Sequence, residues 1–123
     1  MAKFCKQFEK QSKIKLELEK LLQLEPNWDT YGGSQIDPKC VAAALNLLSN
    51  ILLDSTALPS VVPTSRGGLQ LEWHACGADL EIEFFSATHV RGLFKDIDSG
   101  ASWEKDLSFD LRPLTDAVKT LSQ

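Results

Sequence analysis

The sequence predicts an α+β domain: an antiparallel meander sheet of about five strands, with two N-terminal helices and one C-terminal helix packed on one face. Three observations predict it. Apolar residues recur at helical spacing as far as Pro59, they alternate from Val61 to about Phe109, and short turns join the alternating runs. Short links between successive strands require antiparallel pairing, and strict alternation leaves the second sheet face at least partly wet.

The first helix is expected over about Lys3–Leu24, where Phe4, Phe8, Ile14, Leu18 and Leu22 share one face. Pro26 ends it, because proline cannot continue the hydrogen-bond ladder. A turn-rich loop follows, Asn27-Trp28-Asp29-Thr30-Tyr31-Gly32-Gly33-Ser34. The second helix has a strong start signal: Asp37 as cap, Pro38 at the first helical position, and Ile36 placed to staple onto Val41. Val41, Ala44, Leu45, Leu48, Ile51 and Leu52 form its apolar stripe.

After Val61-Val62, a turn over Pro63–Gly68 leads into Leu69–Ala75, where Leu69, Leu71 and Trp73 alternate with Gln70, Glu72 and His74. A turn at Gly77-Ala78 leads to Asp79–Phe85, with Leu80, Ile82 and Phe84 alternating with Glu81 and Glu83. A turn near Ala87–His89 gives the strand Val90–Phe94, and Trp103–Phe109 is the last strand. The closing helix is expected over about Asp110–Leu121, its core face formed by Leu111, Leu114, Val118 and Leu121.

The 123 residues, 43% hydrophobic, suffice for one core and predict a single domain over residues 1–123. No apolar run reaches the roughly 18 residues of a membrane span, and the lysine-rich start lacks the apolar stretch of a signal peptide. Cys5, Cys40 and Cys76 are odd in number, widely spaced and without a C-x-x-C pair, which suits a reducing compartment. These features predict a cytoplasmic protein. Cys5 and Cys40 fall in helical patterns and read as buried apolar groups.

Net charge is −4, which argues against a general nucleic-acid binder. Its distribution is uneven. Residues 1–20 hold six lysines against three glutamates, and the remainder holds seven basic against fourteen acidic side chains.

Two stretches stand out: Asn27-Trp28-Asp29-x-Tyr31-Gly32, and Pro63-Thr64-x-x-Gly67-Gly68-x-Gln70-Leu71-Glu72-Trp73 followed by Leu80-x-Ile82-Glu83. In these motifs the chain resembles a group of small bacterial and phage-associated proteins with no assigned activity. The likeness covers about residues 14–85. It implies a bacterial or phage origin in the cytoplasm and transfers no catalytic residue.

Five sets of residues are weighed as candidates for function. Trp28 and Tyr31 are of the types favoured as interface anchors, although Trp28 also suits the core edge, with Asp29 accepting loop amides. Glu72, His74, Glu81 and Glu83, with Gln70, line the wet sheet face as a solvated surface, a docking surface, or a metal or acid–base site. A hairpin turn at Gly77-Ala78 sets His74 opposite Glu81 and Glu72 opposite Glu83, and a three-residue turn then sets Arg91 opposite Phe85 and Lys95 opposite Glu81, so that cations neutralise the cluster. Lys3, Lys6, Lys10 and Lys13 form a basic face on the first helix. Ser65–Gly68 lacks the phosphate-loop pattern and reads as a plain turn. His74 and Cys76 find no second His/Cys pair to complete a metal set.

No catalytic nucleophile, metal set or phosphate loop is recognisable, so no cofactor is expected. The leading expectation is a non-enzymatic protein-interaction module such as an inhibitor, an antitoxin-like protein or a phage–host factor. The alternatives are a small enzyme using the carboxylate/His cluster, and nucleic-acid binding through the first helix. Homodimerisation through the wet face or an edge strand is a further expectation.

Overall fold

The change of apolar period near Pro59 is the boundary between helices and sheet. The computed structural model describes residues 2–122, with side chains from residue 9 onward. Two helices, α1 (Ala2–Leu21) and α2 (Pro38–Ile51), precede five strands: β1 (Ser60–Pro63), β2 (Leu69–Ala75), β3 (Ala78–Phe84), β4 (Val90–Asp96) and β5 (Ser102–Asp106). Helix α3 (Arg112–Leu121) closes the chain. The strands form one sheet in the order β1-β2-β3-β4-β5, every neighbouring pair antiparallel.

Alternate strand residues enter one hydrophobic cluster. Leu69, Leu71, Trp73, Leu80, Ile82, Phe84 and Phe94 are buried there together with Ile14 and Leu18 of α1, Val41 and Leu48 of α2, and Leu114 and Leu121 of α3. The stripe of α1 ends one residue earlier than the spacing predicts: Leu21 is buried and Leu22 lies outward. The helix stops at Leu21, so Leu22 has left its periodicity. Likewise α3 begins at Arg112, and Leu111, ahead of it, is partly exposed. The last strand is shorter than expected: Leu107 still donates to the Val90 carbonyl, but the Val90 amide is taken by the Ser108 hydroxyl instead of a β5 carbonyl, and the ladder ends there. Cys40 is buried as expected; the side chains of Phe4, Cys5 and Phe8 lie outside the described residues.

Capping follows the start signal. Asp37 accepts a hydrogen bond from the Lys39 amide, and Pro38 occupies the first turn. The Gly67-Gly68 pair answers two different demands. Gly67 has φ +89°, which disfavours side chains, and a Cβ on Gly68 would lie 2.1 Å from the Phe84 carbonyl oxygen. Only glycine fits at Gly68. Both sheet edges are blunted: β1 is four residues long, follows Pro59 and ends on Pro63, while β5 carries Glu104, Lys105 and Asp106.

Candidate functional site

Pleating sends Gln70, Glu72 and His74 of β2, Asp79, Glu81 and Glu83 of β3, Arg91, Leu93 and Lys95 of β4, and Glu104 and Asp106 of β5 to the sheet face opposite the core. This surface holds six carboxylates against two permanent cations, Arg91 and Lys95. The sequence separates the two faces correctly and misplaces the partners.

The β2–β3 turn is Cys76-Gly77, both residues at positive φ (+54° and +75°), the form that two-residue hairpins favour. Glu72 therefore faces Glu81, His74 faces Asp79, and Gln70 faces Glu83. The expected pairs His74–Glu81 and Glu72–Glu83 do not form. A slip of two residues keeps each side chain on its face and changes every partner. Between β3 and β4 the loop spans five residues rather than three, so Arg91 faces Glu83 and Lys95 faces Asp79, not Phe85 and Glu81. Cys76, weighed with His74 as a metal ligand, sits in the turn and outside the strand that carries His74.

A hairpin closed by a two-residue turn makes Ala75–Ala78 a hydrogen-bonded pair, which leaves 74–79, 72–81 and 70–83 as the non-hydrogen-bonded pairs where side chains stand closest. Two carboxylates, Glu72 and Glu81, thus confront each other directly. Gln70 Nε2 donates to Glu72 Oε1 at 2.8 Å. On its other side Glu81 has Leu93, not a cation. Arg91 is engaged in an ion pair with Glu104. His74 Nδ1 lies 2.7 Å from Asp79 Oδ1, and this hydrogen bond, followed by the nearby charges of Asp79, Glu72 and Glu81, raises the His74 pKa above its ordinary 6.5. At the centre stands Leu93, 46% exposed. The depression lined by Gln70, Glu81, Glu83, Arg91, Leu93 and Glu104 has a volume of about 160 Å³, well under the ~300 Å³ at which small-molecule pockets begin. Among the described residues, no three His, Cys, Asp or Glu side chains converge as a metal site requires.

The two motif stretches form one structural unit. Asn27 Oδ1 accepts from the Gly32 amide, and Asp29 Oδ1 accepts from the amides of Tyr31 and Gly33, at 2.6, 2.9 and 2.7 Å. These backbone donors hold the Asp29 carboxyl below the usual carboxylate range. Trp28 is half-buried and donates from Nε1 to the Ser34 carbonyl. Ser34 and Asp37 then donate to the carbonyls of Ser65 and Gly67, tying the loop to the β1–β2 turn. Tyr31 stands out from this scaffold, 90% exposed.

The basic face of α1 is less uniform than its sequence. Lys10 is partly buried and donates to the backbone carbonyls of Asp54 and Thr56, clamping the connection from α2 to β1. It belongs to the scaffold, not to an open lysine stripe. Lys13 is exposed, and the side chains of Lys3 and Lys6 lie outside the described residues. Lys15 and Lys20, which the stripe omitted, pair with Glu19 and Glu17 along the helix.

Sequence reasoning missed Asp79, Glu104 and Asp106 as members of the acidic face and Leu93 as its apolar centre. Asp79 and Leu93 alternate with buried neighbours, which is the available signal, whereas Glu104 and Asp106 flank the exposed Lys105 and carry a weaker one. It also missed Phe109, which it assigned to a strand and which is 98% exposed. No described helix is long and apolar enough to cross a membrane. Compared with known protein families, curated proteins and solved structures, the chain gives no match.

Proposed function

We propose that this chain is a protein-interaction module that docks the polar face of its sheet onto a basic surface of a partner protein. The observation that carries this reading is the confrontation of Glu72 and Glu81 across the ladder, with no cation directly opposite either of them. Like charges directly across a ladder destabilise a sheet by some 0.2–1 kcal/mol, and an arginine or lysine from a partner would turn that cost into attraction. The half-exposed Leu93 in their midst supplies an apolar contact within a charged surround, the usual anatomy of an interface. Charge of one sign over an open face also speeds encounter with a partner of the opposite sign.

The rival readings find less support. An acid–base site needs its groups gathered in one enclosure; the depression at Glu81 and Glu83 is only about 160 Å³, and the larger groove beside Glu83, about 570 Å³, leaves out Glu72, His74 and Glu81. Phosphate binding through α1 loses Lys10 to the scaffold, and the acidic face repels a polyanion. The resemblance in the two motifs suggests a bacterial or phage cytoplasmic factor, such as an inhibitor, an antitoxin-like protein or a phage–host factor, as the biological setting.

The test is affinity capture from a bacterial lysate with the tagged chain, at low and at high salt. The reading expects a stoichiometric protein partner at low salt that is depleted at high salt. Recovery of none at low salt counts against it.

A further inference from the structure

We propose that the groove between the β1–β2 turn and the β3–β4 loop binds a small aromatic zwitterion, an amino acid or dipeptide. Its carboxylate would sit on Arg66, its ammonium on Glu83, and its ring against Phe85 and His89. The site is separate from the Glu72–Glu81 confrontation and shares only Glu83 with the acidic face.

Both walls of the groove are held by backbone hydrogen bonds. On the turn, the Ser65 carbonyl accepts from the Ser34 amide at 2.9 Å, and the Gly67 amide donates to the Thr64 carbonyl at 3.1 Å. Thr64 Oγ1 accepts from the Gly68 amide at 3.2 Å. Across the groove the Phe85 amide donates to the His89 carbonyl at 3.0 Å, and the His89 amide donates to Ser86 Oγ at 3.1 Å. The backbone is therefore ordered before any ligand arrives, which lowers the cost of binding.

Thr64, Ser65, Arg66, Glu83, Phe85 and His89 line the groove, whose volume of about 570 Å³ lies within the ~300–1,000 Å³ of small-molecule sites. Arg66 and Glu83 share it without pairing. Among the described residues, neither side chain joins an ion pair or a hydrogen bond. Arg91, opposite Glu83 on β4, is engaged by Glu104. Phe85 and His89 stack with ring centroids 4.7 Å apart, and Phe85 is 36% exposed, so an aromatic surface lies beside the two charges.

This combination selects a ligand class. A simple anion on Arg66 would meet Glu83, and a simple cation on Glu83 would meet Arg66. A molecule carrying both charges satisfies both through charge-assisted hydrogen bonds, and a planar carboxylate suits the guanidinium fork. The exposed ring surface favours an aromatic side chain over an aliphatic one. Affinity is modest. Arg66 is exposed and Glu83 half-buried, so each charged contact contributes about a two- to fivefold gain. The efficiency usual for small ligands, applied to the roughly 12 non-hydrogen atoms of phenylalanine, predicts a dissociation constant of about 2 mM.

The experiment is an NMR titration of the full chain with L-phenylalanine up to about 20 mM, following the backbone amides of Ser65–Gly67 and Phe85–His89. These should shift together and saturate. N-acetyl-L-phenylalanine, which lacks the ammonium, and L-phenylalaninamide, which lacks the carboxylate, should each bind about two- to fivefold more weakly. Glu83→Gln should close the gap between phenylalanine and its N-acetyl form, and Arg66→Gln the gap between phenylalanine and its amide. Both variants should melt within about 2 °C of native, and if one fails to fold, the ligand series on the native chain decides. Glycyl-L-phenylalanine sets the charges further apart, and whichever zwitterion binds more tightly identifies a free amino acid or a dipeptide as the ligand. No saturable shift at these amides, equal binding of all three phenylalanine forms by the native chain, or gaps that survive in both variants overturns the proposal.

Discussion

Neutralising Glu81 by Glu81→Gln should stabilise the protein. The substitution keeps the shape of a side chain that faces Glu72 on β2 and Leu93 on β4. Two unit charges about 6 Å apart in water repel by roughly 0.7 kcal/mol, and physiological salt roughly halves this. Lys95, diagonal to Glu81 through its pairing with Asp79, returns part of the attraction lost, so the net gain at low salt is about 0.5 kcal/mol. For a domain of this size that is an increase of about 2 °C in melting temperature. The assay is thermal unfolding followed by circular dichroism at pH 8, where His74 carries less charge, in low salt and in about 0.5 M salt. A cycle with Glu72→Gln and the double variant isolates the pair. A melting temperature that falls, a coupling of zero, or a gain untouched by salt would refute the reasoning that the two carboxylates repel each other across the ladder.

Four further outcomes follow from particular contacts. The pKa of His74, followed by NMR, should lie above 6.5 and return toward that value in Asp79→Asn; because the folded-state pKa is raised, the stabilisation is fully present below about 6.5 and is lost as pH rises through the folded value. Asp110, held by its hydrogen bonds from Arg112, should titrate at about 2, and its contribution should be present above 3.8 and vanish as pH falls through about 2; Arg112→Ala should raise the value only part of the way to the ordinary one, because the backbone amide of residue 112 still donates. Gly68→Ala should cost about 2–4 kcal/mol in denaturant unfolding, because the new methyl meets the Phe84 carbonyl. Thr56 is fully buried, accepts from the Leu53 amide and lies 2.6 Å from Ser122 Oγ. Thr56→Val should therefore cost about 1–3 kcal/mol, leaving the Leu53 donor without its acceptor.

Periodicity was enough to read the elements and the two sheet faces, because side-chain direction depends only on the parity of a position in its strand. Glu72, His74, Glu81, Glu83 and Arg91 share the outer face as their spacing requires. Register was not legible, since it depends on which two residues turn. Gly77-Ala78 looked like the turn, yet Cys76 takes a left-handed conformation that its side chain does not advertise. The fate of Lys10 was beyond any local pattern, because the carbonyls it clamps lie 44 and 46 residues further along the chain. Phe109 shows a third kind of limit. Alternation continues into it from β5, but the Ser108 hydroxyl takes the Val90 amide and ends the ladder before it, and the ring stands in water.

Reversing the charge of the confronted pair tests the docking surface most directly. Glu72→Lys with Glu81→Lys, placed in the tagged chain and compared with the native one by low-salt affinity capture, should leave the fold intact and abolish recovery of the partner. Equal recovery of the same partner by both chains would contradict the account.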